Sequence, residues 1–186
     1  MSSLESCSDT ELIIAYRHGD EKALTLLIQR YFSSVYRFLA RMVGDATVAE
    51  DLTQETFVKT WKNLGQFDVH KTFKPWLFSI ARNAAIDNLR KKRPLSFSSL
   101  EEEDQASFSD ILPDPRVLSP TLLEQADIKQ QVADALDQLP PKTKAIVLMH
   151  ETEELTFQQI ADSLNEPMNT VKSRYRRGLQ ALNRYF

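Results

Sequence analysis

Glycine is scarce in this chain, and where it occurs it punctuates helices. Only four glycines stand among 186 residues. Three of them, Gly19, Gly44 and Gly65, each follow a segment whose apolar residues recur every three or four positions. With eight prolines and long stretches of helix formers, this spacing dictates an all-α protein. Ser8 and Glu11 form a capping box that opens DTELIIAYRHG. Asp20 caps a long helix running to Gly44, with Leu24, Leu27, Ile28, Tyr31, Val35, Phe38, Leu39 and Met42 inward. Asp45 caps a third helix, in which Val48, Leu52, Phe57, Trp61 and Leu64 are expected to face the core. A fourth begins near Phe73, tolerates Pro75 in its first turn and runs to about Arg93.

Pro94 ends that unit. Residues 95–121 hold serines, prolines and the run Glu101-Glu102-Glu103-Asp104, the composition of an acidic flexible linker. Helix resumes near Leu122 and continues to Pro140-Pro141, followed by another from Lys142 to about Glu151. The chain therefore divides into a helical domain at 1–94, a linker at 95–121 and a second helical domain at 122–186.

The second domain ends on LTFQQIADSLNEPMNTVKSRYRRGLQAL, residues 155–182. Thr156 and Gln159 form a second capping box. Asn165, Glu166 and Pro167 break the helix, and Asn169 or Thr170 is expected to cap the next. In that next helix Val171, Tyr175, Gly178, Leu182 and Tyr185 mark an inner face, while Lys172 with Arg176 and Ser173 with Arg177 lie opposite. A short exposed helix presenting guanidinium groups suits the major groove, where arginine bonds guanine through two acceptors.

The net charge of −3 conceals an uneven distribution. Residues 1–94 carry 14 Lys/Arg against 11 Asp/Glu, residues 95–140 carry 2 against 10, and residues 141–186 carry 7 against 5. Neither basic piece has the charge for tight DNA binding alone, because non-specific affinity scales with phosphates neutralised. A partner supplying most of the grip on DNA resolves the difficulty.

Several classes are disfavoured. One cysteine, Cys7, leaves no internal disulfide or cysteine-based zinc site. The apolar runs are far short of a membrane span, and the N-terminus lacks the pattern of a secretion signal, so the expected location is the cytoplasm. His18, His70 and His150 are scattered, no phosphate-binding or nucleophile motif is present, and no cofactor, metal or small-molecule substrate is expected. In the first domain, Glu50, Asp51, Gln54 and Glu55 cluster on one helix side. Arg82, Asn83, Asp87, Asn88 and Arg90 lie off the apolar stripe of the fourth helix, with Lys91, Lys92 and Arg93 at its end. Interleaved Asn and Arg suit base edges and phosphates, and Phe67, Phe73 and Trp76 are placed to stack on unpaired bases.

AEDLTQETFVKTW (49–61) and FKPWLFSIARNAAIDNLRKKR (73–93) resemble region 2 of bacterial sigma-70 factors. ALDQLPPKTKAIVLMH, LTFQQIADSL and TVKSRYRRGLQAL resemble region 4. With no room for further domains, the chain is similar to the small extracytoplasmic-function (ECF) group. That resemblance implies a transcription initiation factor and not an enzyme. Glu50, Asp51, Gln54 and Glu55 would dock on the β′ clamp helices of core RNA polymerase. Trp76, Arg82, Asn83, Asp87, Arg90 and Lys91 would read the minus-ten element of promoter DNA. Lys172, Ser173, Arg176 and Arg177 would read the minus-thirty-five element, with Arg174 on backbone phosphate, and region 4 would lie on the β flap. An anti-sigma partner is also implied. Two positions depart from the family pattern: Met168-Asn169 stand where a glycine is frequent, and Gly178 replaces a more usual alanine, at about 1 kcal/mol in an exposed helix interior. The rival reading is a stand-alone helix-turn-helix regulator that binds a palindromic site without polymerase. A nucleic-acid enzyme would need clustered carboxylates or metal ligands at a built site, and the acidic run Glu101-Glu102-Glu103-Asp104 lies instead in a stretch with linker composition.

Overall fold

The computed structural model describes residues 6–92 and 131–185. The linker expected at 95–121 and the helix start near Leu122 lie outside the described residues. Seven helices have both ends within them: α1 (Asp9–Arg17), α2 (Glu21–Val43), α3 (Ala46–Leu64), α4 (Phe73–Lys92), α5 (Pro141–Glu151), α6 (Phe157–Leu164) and α7 (Met168–Leu182). Residues 131–137 are also helical, and the described residues contain no strand.

The helix boundaries follow local chemistry. Ser8 Oγ accepts from the Glu11 amide and the Glu11 carboxylate accepts from the Ser8 amide, completing the first capping box. The Asp20 and Asp45 carboxylates accept from the amides of Lys22 and Val48, each at 3.0 Å. Gly19 and Gly44 adopt φ of 98° and 69°, the left-handed conformation that carries the chain away from a finished helix. Three threonines on α3, Thr53, Thr56 and Thr60, are buried at no polar cost. Each hydroxyl donates to the carbonyl four residues earlier, at 2.6–2.8 Å.

Helices α1 to α4 pack as one unit, with Phe38 of α2 meeting Phe78 of α4 edge to face at 5.3 Å. Helices α5 to α7 form the second. α5 is the pivot between them. Its residues from Thr143 to Met149 are all buried, and a helix covered on every side must have neighbours on every side. α6 and α7 cover one flank; α2 and α4 cover the other. The two apolar cores therefore merge into a single cluster running from Leu12 to Val171. Lys144 lies within this seam, its side chain 5% exposed, bonding the Met42 carbonyl at the end of α2 and the Asp137 carboxylate.

Three sequence expectations are corrected. Trp61 does not face inward: it is 50% exposed, and its indole N–H donates to the Tyr16 hydroxyl. α7 begins at Met168, capped by Pro167, and not at Asn169 or Thr170. The φ of −60° and extended ψ of 137° at Pro167 already supply an N-cap backbone, so no side-chain cap is used. The left-handed residue of the turn is Asn165, at φ 54°. Tyr185 lies past the end of α7 and is 54% exposed, outside the inner face.

Candidate nucleic-acid interface

The helix-turn-helix is built by local pairing. Thr156 Oγ1 accepts from the Gln159 amide at 3.2 Å, and the Gln159 side chain accepts from the Thr156 amide at 2.9 Å. α6 stops at Asn165, and the Glu166 amide closes back onto the Ala161 carbonyl at 3.0 Å. α7 then packs against α5 so closely that Gly178 is required. A Cβ at this position would lie 2.7 Å from Val147 Cγ2 and 3.0 Å from Thr143 Cγ2. The glycine that weakens the helix in isolation is what lets the two helices meet.

His150, Phe157 and Tyr175 support this unit from below, with His150 stacked on Phe157 at 4.2 Å and Tyr175 edge-on to both. The His150 ring bonds the Leu155 carbonyl at 2.7 Å, and the Tyr175 hydroxyl bonds the Glu151 carboxylate. Burial and that carboxylate raise the Tyr175 pKa, so the phenol remains a hydrogen-bond donor.

The residues expected to read the minus-thirty-five element divide between two faces of α7. Lys172, Ser173 and Arg176 are exposed and Arg177 is half-buried. The Ser173 hydroxyl bonds the Thr170 carbonyl. Arg174 points the other way: it is buried and bonded to the Glu166 carboxylate.

On α4 the minus-ten set is split as well. Asn83, Asp87, Arg90 and Lys91 are exposed, and Arg90 pairs with Asp87 at 3.2 Å. Trp76 is half-buried, its ring 4.7 Å from Phe67 and 5.7 Å from Phe73. The expectation that Phe67 and Phe73 present open faces to bases does not hold in this arrangement. Both are buried, and they pack edge to face on each other. Their apolar area completes the core under the α3–α4 connection, which a base-stacking role would have left exposed. Arg82 is not on the solvent side of α4 either. Its side chain is 11% exposed and lies against the second unit, with Nη2 3.7 Å from Glu166 Oε1 and Nη1 bonded to Asn83 Oδ1. Burial pulls the Arg82 pKa down, the Glu166 charge opposes that shift, and Arg174 adds to it.

Lys74 and Glu153 form a second contact across the seam. The Lys74 ammonium donates to the Glu153 carbonyl at 2.6 Å and lies 3.6 Å from its carboxylate. Burial raises the Glu153 pKa against the opposing pull of Lys74, Thr152 and Arg37. Nothing in the sequence marks Glu153 or Lys74 as part of a contact, and Glu166 is legible only as part of a helix break. A single acidic residue in a turn carries no periodic signal, and only the continuous apolar run of α5 hinted that something covers its second flank.

On α3, Glu50, Asp51, Gln54 and Glu55 are all exposed on one side, and Glu55 pairs with Lys59 one turn on at 2.6 Å. No group of three or more metal-ligating side chains is found among the described residues, and no described helix is long and apolar enough to cross a membrane.

Residues 27–94 match Sigma-70 region 2 and residues 129–182 match Sigma-70, region 4. The chain is 31% identical to the ECF RNA polymerase sigma factor SigW of Bacillus subtilis over 171 residues, covering 90% of this chain and 91% of the relative. It is 31% identical to the RNA polymerase sigma-H factor of Pseudomonas aeruginosa over 179 residues, covering 95% and 92%. Among solved structures, CnrH in complex with the cytosolic domain of CnrY aligns with a TM-score of 0.67 over 95% of both chains at 20% identity. The sigma factor RpoE of Bartonella quintana, in complex with the anti-sigma factor NepR, aligns at 0.62 over 85% of this chain and 92% of that one, at 21% identity. These two likenesses establish the shared fold.

Proposed function

The chain belongs to the sigma-70 family, in its extracytoplasmic-function group, and from that premise we propose which of its surfaces perform promoter recognition. It is a transcription initiation factor that works with core RNA polymerase on promoter DNA, not a stand-alone regulator and not an enzyme. The exposed side of α7, with Lys172, Ser173, Arg176 and Arg177, reads the minus-thirty-five element, and region 4 rests on the β flap. Asn83, Asp87, Arg90 and Lys91 on α4, with Trp76 and Arg82, form the minus-ten surface. Glu50, Asp51, Gln54 and Glu55 on α3 dock on the β′ clamp helices. A partner of the anti-sigma kind restrains the protein, in keeping with the complex of its structural neighbour RpoE with the anti-sigma factor NepR, and the protein works in the cytoplasm.

The observation that carries this reading is the exposed basic side of α7 in a helix-turn-helix held by its capping box and by Gly178. Two weak readers suffice because polymerase fixes the distance between them. Each good base contact adds about 1–3 kcal/mol of discrimination. Run-off transcription with core polymerase on DNA upstream of the chain's own gene tests it. Specific transcripts should require this protein and should fall at least tenfold with Arg176→Ala/Arg177→Ala. Unaided operator binding, with no dependence of transcription on the protein, would overturn it.

A further inference from the structure

Two guanidinium groups, Arg82 of the proposed minus-ten surface and Arg174, expected on backbone phosphate, meet across the seam and share one carboxylate. Glu166 Oε1 lies 3.7 Å from Arg82 Nη2 of the first unit, and Glu166 Oε2 bonds Arg174 Nη1 of the second. The side chains of Arg82 and Arg174 are 11% and 9% exposed. Neither can reach a phosphate while the seam is closed. Glu166 is held in place by the turn itself, through the left-handed Asn165 before it and the bond from its own amide to Ala161.

The charges explain why the seam depends on this residue. Without Glu166, two desolvated cations would face each other in a medium where like charges repel strongly. The contact is also incomplete on its polar side. Arg82 Nε and Nη2 are buried without a hydrogen-bond partner, so the closed state leaves donors unsatisfied. A phosphate, with more acceptor oxygens and a geometry that suits the guanidinium fork, satisfies them better.

We infer that Glu166 is an intramolecular stand-in for DNA phosphate, latching Arg82 of α4 to Arg174 of α7 and so closing the two DNA-reading helices on each other. The latch rests on the assignment of Arg82 to the minus-ten surface. In the free protein it suppresses stray DNA binding. Core polymerase, by holding the two units apart, exposes both arginines at once. The Lys74–Glu153 and Lys144–Met42 bonds hold the same seam closed at other points.

The test uses the full chain without polymerase. Small-angle scattering reports its dimensions, and fluorescence anisotropy reports its affinity for a short mixed-sequence single-stranded DNA. Glu166→Gln should enlarge the radius of gyration and tighten DNA binding on the order of tenfold, equivalent to about 1.4 kcal/mol. Wild type should expand as salt rises and the variant should not, since an ionic latch is weakened by added ions. Unchanged dimensions and affinity in Glu166→Gln would overturn the latch. If that variant loses its circular dichroism, wild-type dimensions that stay constant from low to high salt would overturn it instead. Arg82→Ala should open the chain equally but bind DNA more weakly than Glu166→Gln. If Glu166→Gln/Arg82→Ala binds as tightly as Glu166→Gln, Arg82 is a latch and not a DNA contact. That result would refute the phosphate mimicry and remove Arg82 from the minus-ten surface, while the α7 assignment would stand on the transcription assay.

Discussion

Gly178→Ala should destabilise the protein even though alanine is the better helix former. In an exposed helix the substitution would gain about 1 kcal/mol. Here the added methyl would sit 2.7 Å from Val147 Cγ2 and 3.0 Å from Thr143 Cγ2, both shorter than van der Waals contact allows. Val147 and Thr143 are β-branched and buried on α5, with little freedom to turn away. The helices must then separate, and overpacking of this kind costs about 1–3 kcal/mol. The balance is a net loss of about 1 kcal/mol, or about 2–4 °C in Tm for a chain of this size. Urea unfolding followed by circular dichroism measures it, with an unchanged m-value showing that the loss lies in the folded state. Val147→Ala removes the nearer clash. In that background Gly178→Ala should cost nothing or stabilise, giving a coupling of about 1 kcal/mol between the sites. A Gly178→Ala protein more stable than wild type would refute the close-approach argument and leave the glycine without a packing reason.

Three further outcomes follow from the geometry. Glu153 has its pKa raised, chiefly by burial, so folding favours its protonated form. Stability should therefore fall as pH rises from the ordinary carboxylate range through the raised value, and Glu153→Gln should flatten that part of a Tm-against-pH curve and raise Tm at neutral pH. Glu50→Lys/Asp51→Lys reverses charge on the exposed side of α3, and should weaken core polymerase binding at least tenfold in a pull-down or anisotropy titration while leaving helical content unchanged. Lys144→Ala leaves the Asp137 carboxylate and the Met42 carbonyl without their shared donor and opens a cavity in the seam. With Asp137 more than half exposed and open to water, the loss rests on the cavity and the Met42 carbonyl, about 1–3 kcal/mol, measured by the same urea titration.

The helices were legible because their signals are short-range. A capping box joins residues three apart, left-handed Gly19 and Gly44 end α1 and α2, and an apolar stripe repeats every turn, so α1 to α4 and α6 fell where the residues placed them. The start of α7 was missed because Pro167 caps through its fixed backbone angle and leaves no side-chain signature. The exposed basic residues of α7 and the acidic side of α3 were readable as faces for the same periodic reason.

What the sequence determined by itself was the set of helices, the two motifs in their order and therefore the family. The tertiary structure decided how the two units meet. Trp61 belongs to the apolar stripe of α3 by spacing, yet it stays half exposed at the edge of the unit, bonded to Tyr16 of α1. Phe67 and Phe73 had the chemistry to stack on bases, yet they close the core. Arg82 and Glu166 are far apart along the chain and become partners because α5 is covered from both flanks. Periodicity reports which side of a helix avoids water. Which helix provides the cover, and which charges that contact brings together, depends on shape and desolvation summed over the whole fold.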